Sequence, residues 1–171
     1  QSNLMQHLNT KHKLLFQTES INFAASDGYV LSGVRYIPTQ TIKAKIIVAS
    51  ATGVPQPFYP RFAEYATQQG YEVLTFDYRG VGASAPKQLK GFEMSYLDWG
   101  SLDLAAAIDF YTEEGLALFM VAHSYGGQAL GLTSNHNKVT AMYCFGTGAG
   151  WAGYMPFKEK FKVSVMWNLI F

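Results

Sequence analysis

Ser124 and its neighbours form the part of this chain that is best suited to chemistry. An apolar run, 119–123, leads directly into Ser124, and Gly126 and Gly127 then open a helix-like segment. This order is typical of a nucleophile elbow, a strained strand-to-helix turn that exposes a serine hydroxyl for attack on a carbonyl carbon. Taken alone, the segment also fits a serine that caps an ordinary buried helix. The other elements of the chain decide between the two interpretations.

The usual Gly-x-Ser-x-Gly pattern is changed at its first position, where Ala122 stands. A small residue is needed there because the strand and helix backbones pass close together, and alanine meets that need. Gly126 keeps the position where a side chain would collide with the neighbouring backbone. The pattern therefore predicts the same tight turn with one permitted substitution.

Two backbone N–H groups are candidates to stabilise the negative oxygen that forms when a serine attacks a carbonyl. One belongs to Tyr125, the residue after the nucleophile, and the other to Val54, in the loop after an earlier predicted strand. Gly53 makes that loop flexible, whereas Pro55 has no N–H to donate. We expect Val54 and Tyr125 to form the oxyanion hole. Residues 52–55 alone also fit a plain strand-to-helix turn.

The predicted elements alternate between strands and helices from residue 44 onward. Before them comes a pair of alternating strands joined by a two-residue hairpin turn at Asp27 and Gly28. Buried strands separated by amphipathic helices are typical of an α/β protein with a mostly parallel sheet. The predicted strands are 14–24, 29–37, 44–50, 72–76, 119–123 and 139–145, and the predicted helices are 58–69, 128–132 and one from 98 or 101 to 115.

Three stretches, taken in order, resemble the α/β-hydrolase family of bacterial serine hydrolases. They are the loop at Thr52, where the family usually has histidine, the stretch 77–84, which reads Asp-Tyr-Arg-Gly-Val-Gly-Ala-Ser, and the turn at Ser124. The resemblance implies a three-layer α/β-hydrolase sandwich whose mostly parallel sheet begins with an antiparallel hairpin. It also implies hydrolysis of a carboxylic ester or related small acyl substrate, with no metal and no organic cofactor. Asp77 and Arg79 would then have structural roles in a loop near the site.

The histidine base and the acid that activate such a serine have no counterpart in this sequence. After Ser124 the chain contains one histidine, His136, and one acid, Glu159, and neither stands where the family has its triad residues. His123 directly precedes the serine, but neighbours on a strand point to opposite faces, so we expect it to be a packed side chain. The resemblance therefore implies a catalytic serine with weak or no turnover in this chain.

The N-terminal residues and the family resemblance together predict how the chain is organised. Residues 1–4 look like the remnant of a cleavable tag, and 5–154 form a core domain that lacks its C-terminal strands. Residues 155–171 begin a cap segment. Without further strands, 139–145 is an apolar edge strand of the kind that pairs with another chain, so we expect self-association through it.

Composition and charge narrow the classes of partner. Of the 171 residues, 49% are hydrophobic and 15% are charged, with a formal net charge of +1 and no basic stripe, so we expect a globular domain and no nucleic-acid partner. No run approaches the ~18 apolar residues that span a bilayer. The N-terminus carries no secretory signal, and the single cysteine, Cys144, fits a reducing compartment, so we expect a cytoplasmic protein. Cys144 lies in an apolar run, which predicts a core position.

Two alternatives stay open for the function. An acyltransferase would use the same acyl-enzyme as a hydrolase, and a non-catalytic binding module of the same fold would explain the missing base. The aromatic residues Phe58, Tyr59, Tyr125 and Trp151 fit either an acyl pocket or an ordinary core.

Overall fold

A computed structural model of the chain describes residues 16–148, 156–159 and 161–162, so the predicted tag remnant and most of the predicted cap segment lie outside the described residues. The strands are β1 (Phe16–Ala24), β2 (Val30–Pro38), β3 (Ala44–Ala49), β4 (Tyr71–Phe76), β5 (Leu118–His123) and β6 (Ala141–Phe145). The α-helices are α1 (Pro60–Gln68), α2 (Tyr96–Asp98, a π-helical stretch Trp99–Leu104, then Ala105–Tyr111) and α3 (Gly126–Ala129). Short 3₁₀ helices cover Gln56–Phe58, Gly82–Ser84, Leu130–Leu132 and His136–Lys138.

The six strands form one sheet in the order β1-β2-β4-β3-β5-β6. β2 pairs antiparallel with both β1 and β4, whereas β4, β3, β5 and β6 are parallel to one another. The predicted α/β fold, with a mostly parallel sheet that begins in an antiparallel hairpin, is confirmed. The carboxyl ends of β3, β4 and β5 therefore meet at one edge, which is where ligands bind in sheets of this type.

Alternate residues of the central strands pack against helices on opposite faces of the sheet. On one face, Ile47 and Leu74 belong to a core that includes Ile108 of α2. On the other face, Ile46 packs in a second cluster with Ala63 of α1. All six residues of β3 are buried, as expected for a parallel strand that is covered on both faces.

The boundaries of α1 and α2 follow from local sequence signals. Pro60 occupies the start of α1, and Gly70, just past its end, has a φ of +97° that favours glycine. α2 begins after Ser95, whose backbone N–H donates to the Asp98 side chain in a capping box, so the helix starts earlier than predicted. None of the described helices is long and apolar enough to cross a bilayer.

The turn between β1 and β2 differs from the predicted two-residue hairpin. The Gly28 N–H donates to the Ala25 carbonyl at 2.9 Å, and the Ala25 N–H donates to the Tyr29 carbonyl at 2.8 Å. Three residues, 26–28, therefore connect the strands, and the prediction is wrong by one residue. Gly28 takes the third position with a φ of +85°, which explains why glycine follows Asp27 there.

β6 differs from the predicted buried strand. All five of its residues are exposed, and Cys144 is exposed with them, so the predicted core position of the cysteine is wrong. The reason is that β6 is the outermost strand of the sheet and has a pairing partner, β5, on one edge. A groove of about 540 Å³ runs beside it, with a lining that includes Phe62, Tyr65, Tyr143 and Phe145.

Candidate active site

Ser124 occupies the turn between β5 and α3 in a left-handed backbone conformation. Its φ is +51°, and among the described residues it is the one non-glycine residue with a positive φ. A non-glycine residue holds such a conformation when the surrounding structure enforces it. The Ser124 N–H donates to the Phe145 carbonyl at 3.0 Å, and the Ser124 carbonyl accepts from the Gly127 N–H at 3.1 Å and from Thr147 Oγ1 at 3.0 Å. These bonds fix the serine on both sides of its peptide unit.

Close approach of neighbouring backbone explains the small residues around Ser124. A Cβ built at Gly126 would lie 2.2 Å from the carbonyl oxygen of Ala49 at the end of β3. A Cβ at Gly127 would lie 2.5 Å from Thr147 Oγ1. Ala122, which replaces the usual first glycine, is fully buried. The predicted collision at Gly126 is therefore confirmed, and alanine fits at position 122.

Tyr125 follows Ser124, and its side chain is packed against α2. Its ring lies edge-on to Trp99 at 5.6 Å, and its hydroxyl donates to the Tyr96 carbonyl. Burial raises the pKa of Tyr125 to about 12, so the phenol stays neutral at physiological pH. The Tyr125 N–H stands at the N-terminal boundary of α3, where backbone N–H groups have no acceptor within the helix. Its predicted role as an oxyanion donor stays a prediction.

The loop after β3 forms a tight turn over 51–54. The Val54 N–H donates to the Ala51 carbonyl at 3.2 Å, and Gly53 has a φ of +67°. The flexibility expected of Gly53 is thus used to close the turn. The Val54 N–H, predicted as the second oxyanion donor, already has an acceptor within the chain. A substrate oxygen would have to share or replace that bond.

The histidines of the described region are engaged away from the Ser124 hydroxyl. His123 Nδ1 lies 3.0 Å from the Tyr59 hydroxyl, and its ring stacks on Phe145 at 4.5 Å, so the predicted packed histidine is confirmed. His136 Nδ1 lies 3.1 Å from the Thr133 carbonyl. Within the described residues, neither histidine hydrogen-bonds to the Ser124 hydroxyl. The base predicted to be missing from the chain is not supplied by either of them.

Asp77 organises the loop after β4 from a buried position. Its Oδ1 accepts the Gln56 N–H at 2.6 Å, and its Oδ2 accepts the Ala83 N–H at 2.9 Å. Burial raises the pKa of the Asp77 carboxyl, and the two N–H donors act against that rise. A Cβ at Gly82 would lie 2.5 Å from Asp77 Oδ2, so the loop is closed tightly around the carboxylate. Both carboxylate oxygens are used by the backbone, which fits the expected structural role.

Arg79 lies in the same loop between two carboxylates. Its Nε donates to Asp103 Oδ1 at 2.8 Å, and its Nη1 donates to Asp27 Oδ2 at 2.7 Å. Burial raises the pKa of Asp103, whereas the hydrogen bond from Arg79 lowers the pKa of the more exposed Asp27. The expected structural role of Arg79 is confirmed, and it consists of these ion pairs. Sequence reasoning missed both partners, and the one available signal was an acidic residue at position 103 between Leu102 and Leu104.

The four aromatic residues that fit either an acyl pocket or the core have different environments. Tyr59 is buried, Phe58 is 66% exposed, and Trp151 lies outside the described residues. Tyr125 is half-buried against α2. Within the described part of the chain, no group of three or more histidine, cysteine or acidic side chains could hold a metal ion.

Comparison with known proteins places this geometry among hydrolases. A family model described as serine aminopeptidase, S33 matches residues 40–169. The monoglyceride lipase of Saccharomyces cerevisiae is 28% identical over 91 residues, which are 52% of this chain and 29% of the lipase. A carboxyl esterase of Bacillus coagulans, solved with glycerol, superposes with a TM-score of 0.67 at 19% identity, over 90% of this chain and 50% of the esterase. A soluble variant of the yeast lipase, solved with a substrate analogue, gives a TM-score of 0.60 at 23% identity, over 77% of this chain and 44% of the lipase. The chain thus spans about half the length of these solved structures or less.

Proposed function

The chain belongs to the serine aminopeptidase S33 family and has the α/β-hydrolase fold, and we propose that it carries the nucleophile of a serine hydrolase that cleaves carboxylic esters. The observation that supports this most is the left-handed conformation of Ser124 on a strand-to-helix turn. A nucleophile elbow requires such a strained turn, whereas an ordinary helix-capping serine would adopt an extended backbone with negative φ.

In the proposed reaction, Ser124 Oγ attacks the ester carbonyl carbon, and its proton passes to a base. The carbonyl oxygen becomes an oxyanion, which the N–H groups of Tyr125 and Val54 would stabilise. The Val54 N–H would first have to give up its hydrogen bond to the Ala51 carbonyl. The alcohol then leaves with a proton, and water hydrolyses the acyl-enzyme to free the acid and restore the serine. His123 and His136 lie against Tyr59 and Thr133, and the sequence has no histidine at the family's position for the base, so we expect the chain as printed to turn over slowly or not at all.

An ester is favoured over other acyl substrates by the named relatives. The yeast relative is a monoglyceride lipase, and the Bacillus coagulans protein is a carboxyl esterase. We therefore propose an ester of a small alcohol as the substrate class. An acyltransferase would share every step up to the acyl-enzyme and differ in the acceptor that replaces water.

A fluorophosphonate probe tests the nucleophile, because it reacts with an activated serine and adds its mass to the intact protein. In the protein expressed from its complete gene, we expect one label on Ser124, none in Ser124→Ala, and hydrolysis of a p-nitrophenyl ester that is lost in the same variant. In the 171-residue chain alone we expect little labelling. Full ester turnover by Ser124→Ala would refute the proposal. Absence of labelling in the complete protein would favour a binding module.

A further inference from the structure

Tyr59 connects two loops that the mechanism brings together. It stands at the N-terminal boundary of α1 and is 5% exposed. Its hydroxyl accepts the Ala51 N–H at 3.1 Å and lies 3.0 Å from His123 Nδ1. Ala51 opens the turn that carries Val54, and His123 is the residue before Ser124. One buried hydroxyl therefore contacts both the proposed oxyanion loop and the strand that carries the proposed nucleophile.

We propose that Tyr59 is a positioning residue, whose hydroxyl holds the turn over 51–54 at a fixed distance from Ser124. The inference rests on the proposed function, since it assigns Tyr59 a part in the same reaction. Tyr59 lies behind both groups and acts through Ala51 and His123. Placement of reacting groups to within about 1 Å can change a rate by up to about a hundredfold, so a contact of this kind matters to turnover.

The Tyr59 hydroxyl can accept one hydrogen bond and donate another. Burial raises the pKa of Tyr59, so the hydroxyl keeps its proton at physiological pH. The Tyr59 oxygen accepts the Ala51 N–H, and its proton can be donated to His123 Nδ1.

The ring of His123 is itself held firmly, which makes it a suitable anchor. It stacks on Phe145 with an interplanar angle of 10° and lies nearly parallel to Phe58 at 6.2 Å. The backbone carbonyl of Phe145 also accepts the Ser124 N–H, so the residue that stacks on His123 is hydrogen-bonded to the serine. Movement of the Tyr59 hydroxyl would be transmitted to both sides of the proposed site.

The variant Tyr59→Phe removes the hydroxyl alone, and Tyr65→Phe is the matched control because it removes a hydroxyl from an exposed position of the same helix. Nuclear magnetic resonance of the 171-residue chain measures the link without any turnover. We expect the Ala51 amide to exchange with solvent about tenfold faster in Tyr59→Phe, since one hydrogen bond is lost. We also expect the ¹⁵N resonance of His123 Nδ1 to move. In Tyr65→Phe both should stay as in the original chain.

Kinetics of the protein expressed from its complete gene measure the consequence. We expect Tyr59→Phe to lower kcat about tenfold with KM changed less than twofold. The reason is that a well-positioned turn over 51–54 stabilises the oxyanion of the transition state more than it stabilises the bound ester. A second variant, His123→Phe, keeps an aromatic ring against Phe145 and removes the ring nitrogen that lies beside the Tyr59 hydroxyl. It should lower kcat while the Ala51 amide stays protected, and it serves as the test if Tyr59→Phe does not fold.

The possible outcomes separate the two proposals. Unchanged Ala51 exchange in Tyr59→Phe would overturn the link, and unchanged kcat in both variants would overturn the positioning role. Activity that survives in Ser124→Ala would overturn the proposed function and the role with it, while the link itself would still be visible in the exchange rates.

Discussion

Two neighbouring loops at the carboxyl edge of the sheet differ in how their polar groups are paired. In the arginine loop, 77–84, both Asp77 carboxylate oxygens accept backbone N–H groups, and Arg79 is paired with two carboxylates. In the serine turn, 122–127, Ser124 has a strained backbone, and the two described histidines after position 100 contact Tyr59 and Thr133 instead of its hydroxyl. The first loop uses its charged groups to hold its own backbone, whereas the second stores strain at the serine that we propose as the nucleophile.

The largest expected effect lies in the arginine loop. The variant Asp103→Ala would leave Arg79 buried without its most buried partner, which lowers the free energy of unfolding by about 3–5 kcal/mol. Denaturant unfolding measures the change. The control Asp109→Ala removes a carboxylate that is 59% exposed and accepts hydrogen bonds from Lys138 and Asn135, so it should cost about 1 kcal/mol. Equal losses in both variants would contradict the contrast between a buried and an exposed ion pair.

A smaller loss is expected in the serine turn. The variant Gly126→Ala places a methyl group 2.2 Å from the Ala49 carbonyl oxygen, so β3 and the turn must separate, at about 1–3 kcal/mol of unfolding free energy. The control Gly131→Ala adds a methyl group with no atom within 4 Å and should be neutral. Thermal unfolding compares the two. A stable Gly126→Ala would mean that the turn can relax and that the serine is less constrained than its φ indicates.

The smallest effect on stability is expected at β6, which lies beside the serine turn. The variant Tyr143→Lys puts a charge on a side chain that is 69% exposed, so the free energy of unfolding should change by less than about 0.5 kcal/mol. We expect it to reduce self-association of the 171-residue chain through the open edge of β6, because edge charges oppose strand pairing. Light scattering across a concentration series measures this. A chain that is monomeric without the substitution would refute the prediction of self-association.

The sequence predicts the alternation of strands and helices from residue 44 onward and the turn at Ser124 because those features depend on local patterns. The apolar run, the serine and Gly126 are contiguous, and their spacing is enough to specify the turn. The partners of Arg79 could not be predicted in the same way, because Asp103 and Asp27 are 24 and 52 residues away. Tyr59 could not be assigned either, since its contact with His123 spans 64 residues.

The face of α1 shows how a correct period can still mislead. The aromatic residues Phe62 and Tyr65 recur at the helical spacing that predicts the helix 58–69, yet they are 37% and 64% exposed. The buried residues of the helix are Ala63, Ala66 and Thr67. Small side chains let the helix lie close to the sheet, and the larger ones then line the groove beside β6.

The left-handed conformation of Ser124 also means that selection for stability and selection for activity favour different residues at this position. Glycine is the residue that adopts a positive φ with least strain, so Ser124→Gly would relieve the turn while removing the proposed nucleophile. A library selected for heat tolerance alone would therefore enrich glycine at this position and discard activity. Retention of serine across a lineage would accordingly be a sign of selection on turnover, which stability by itself would work against.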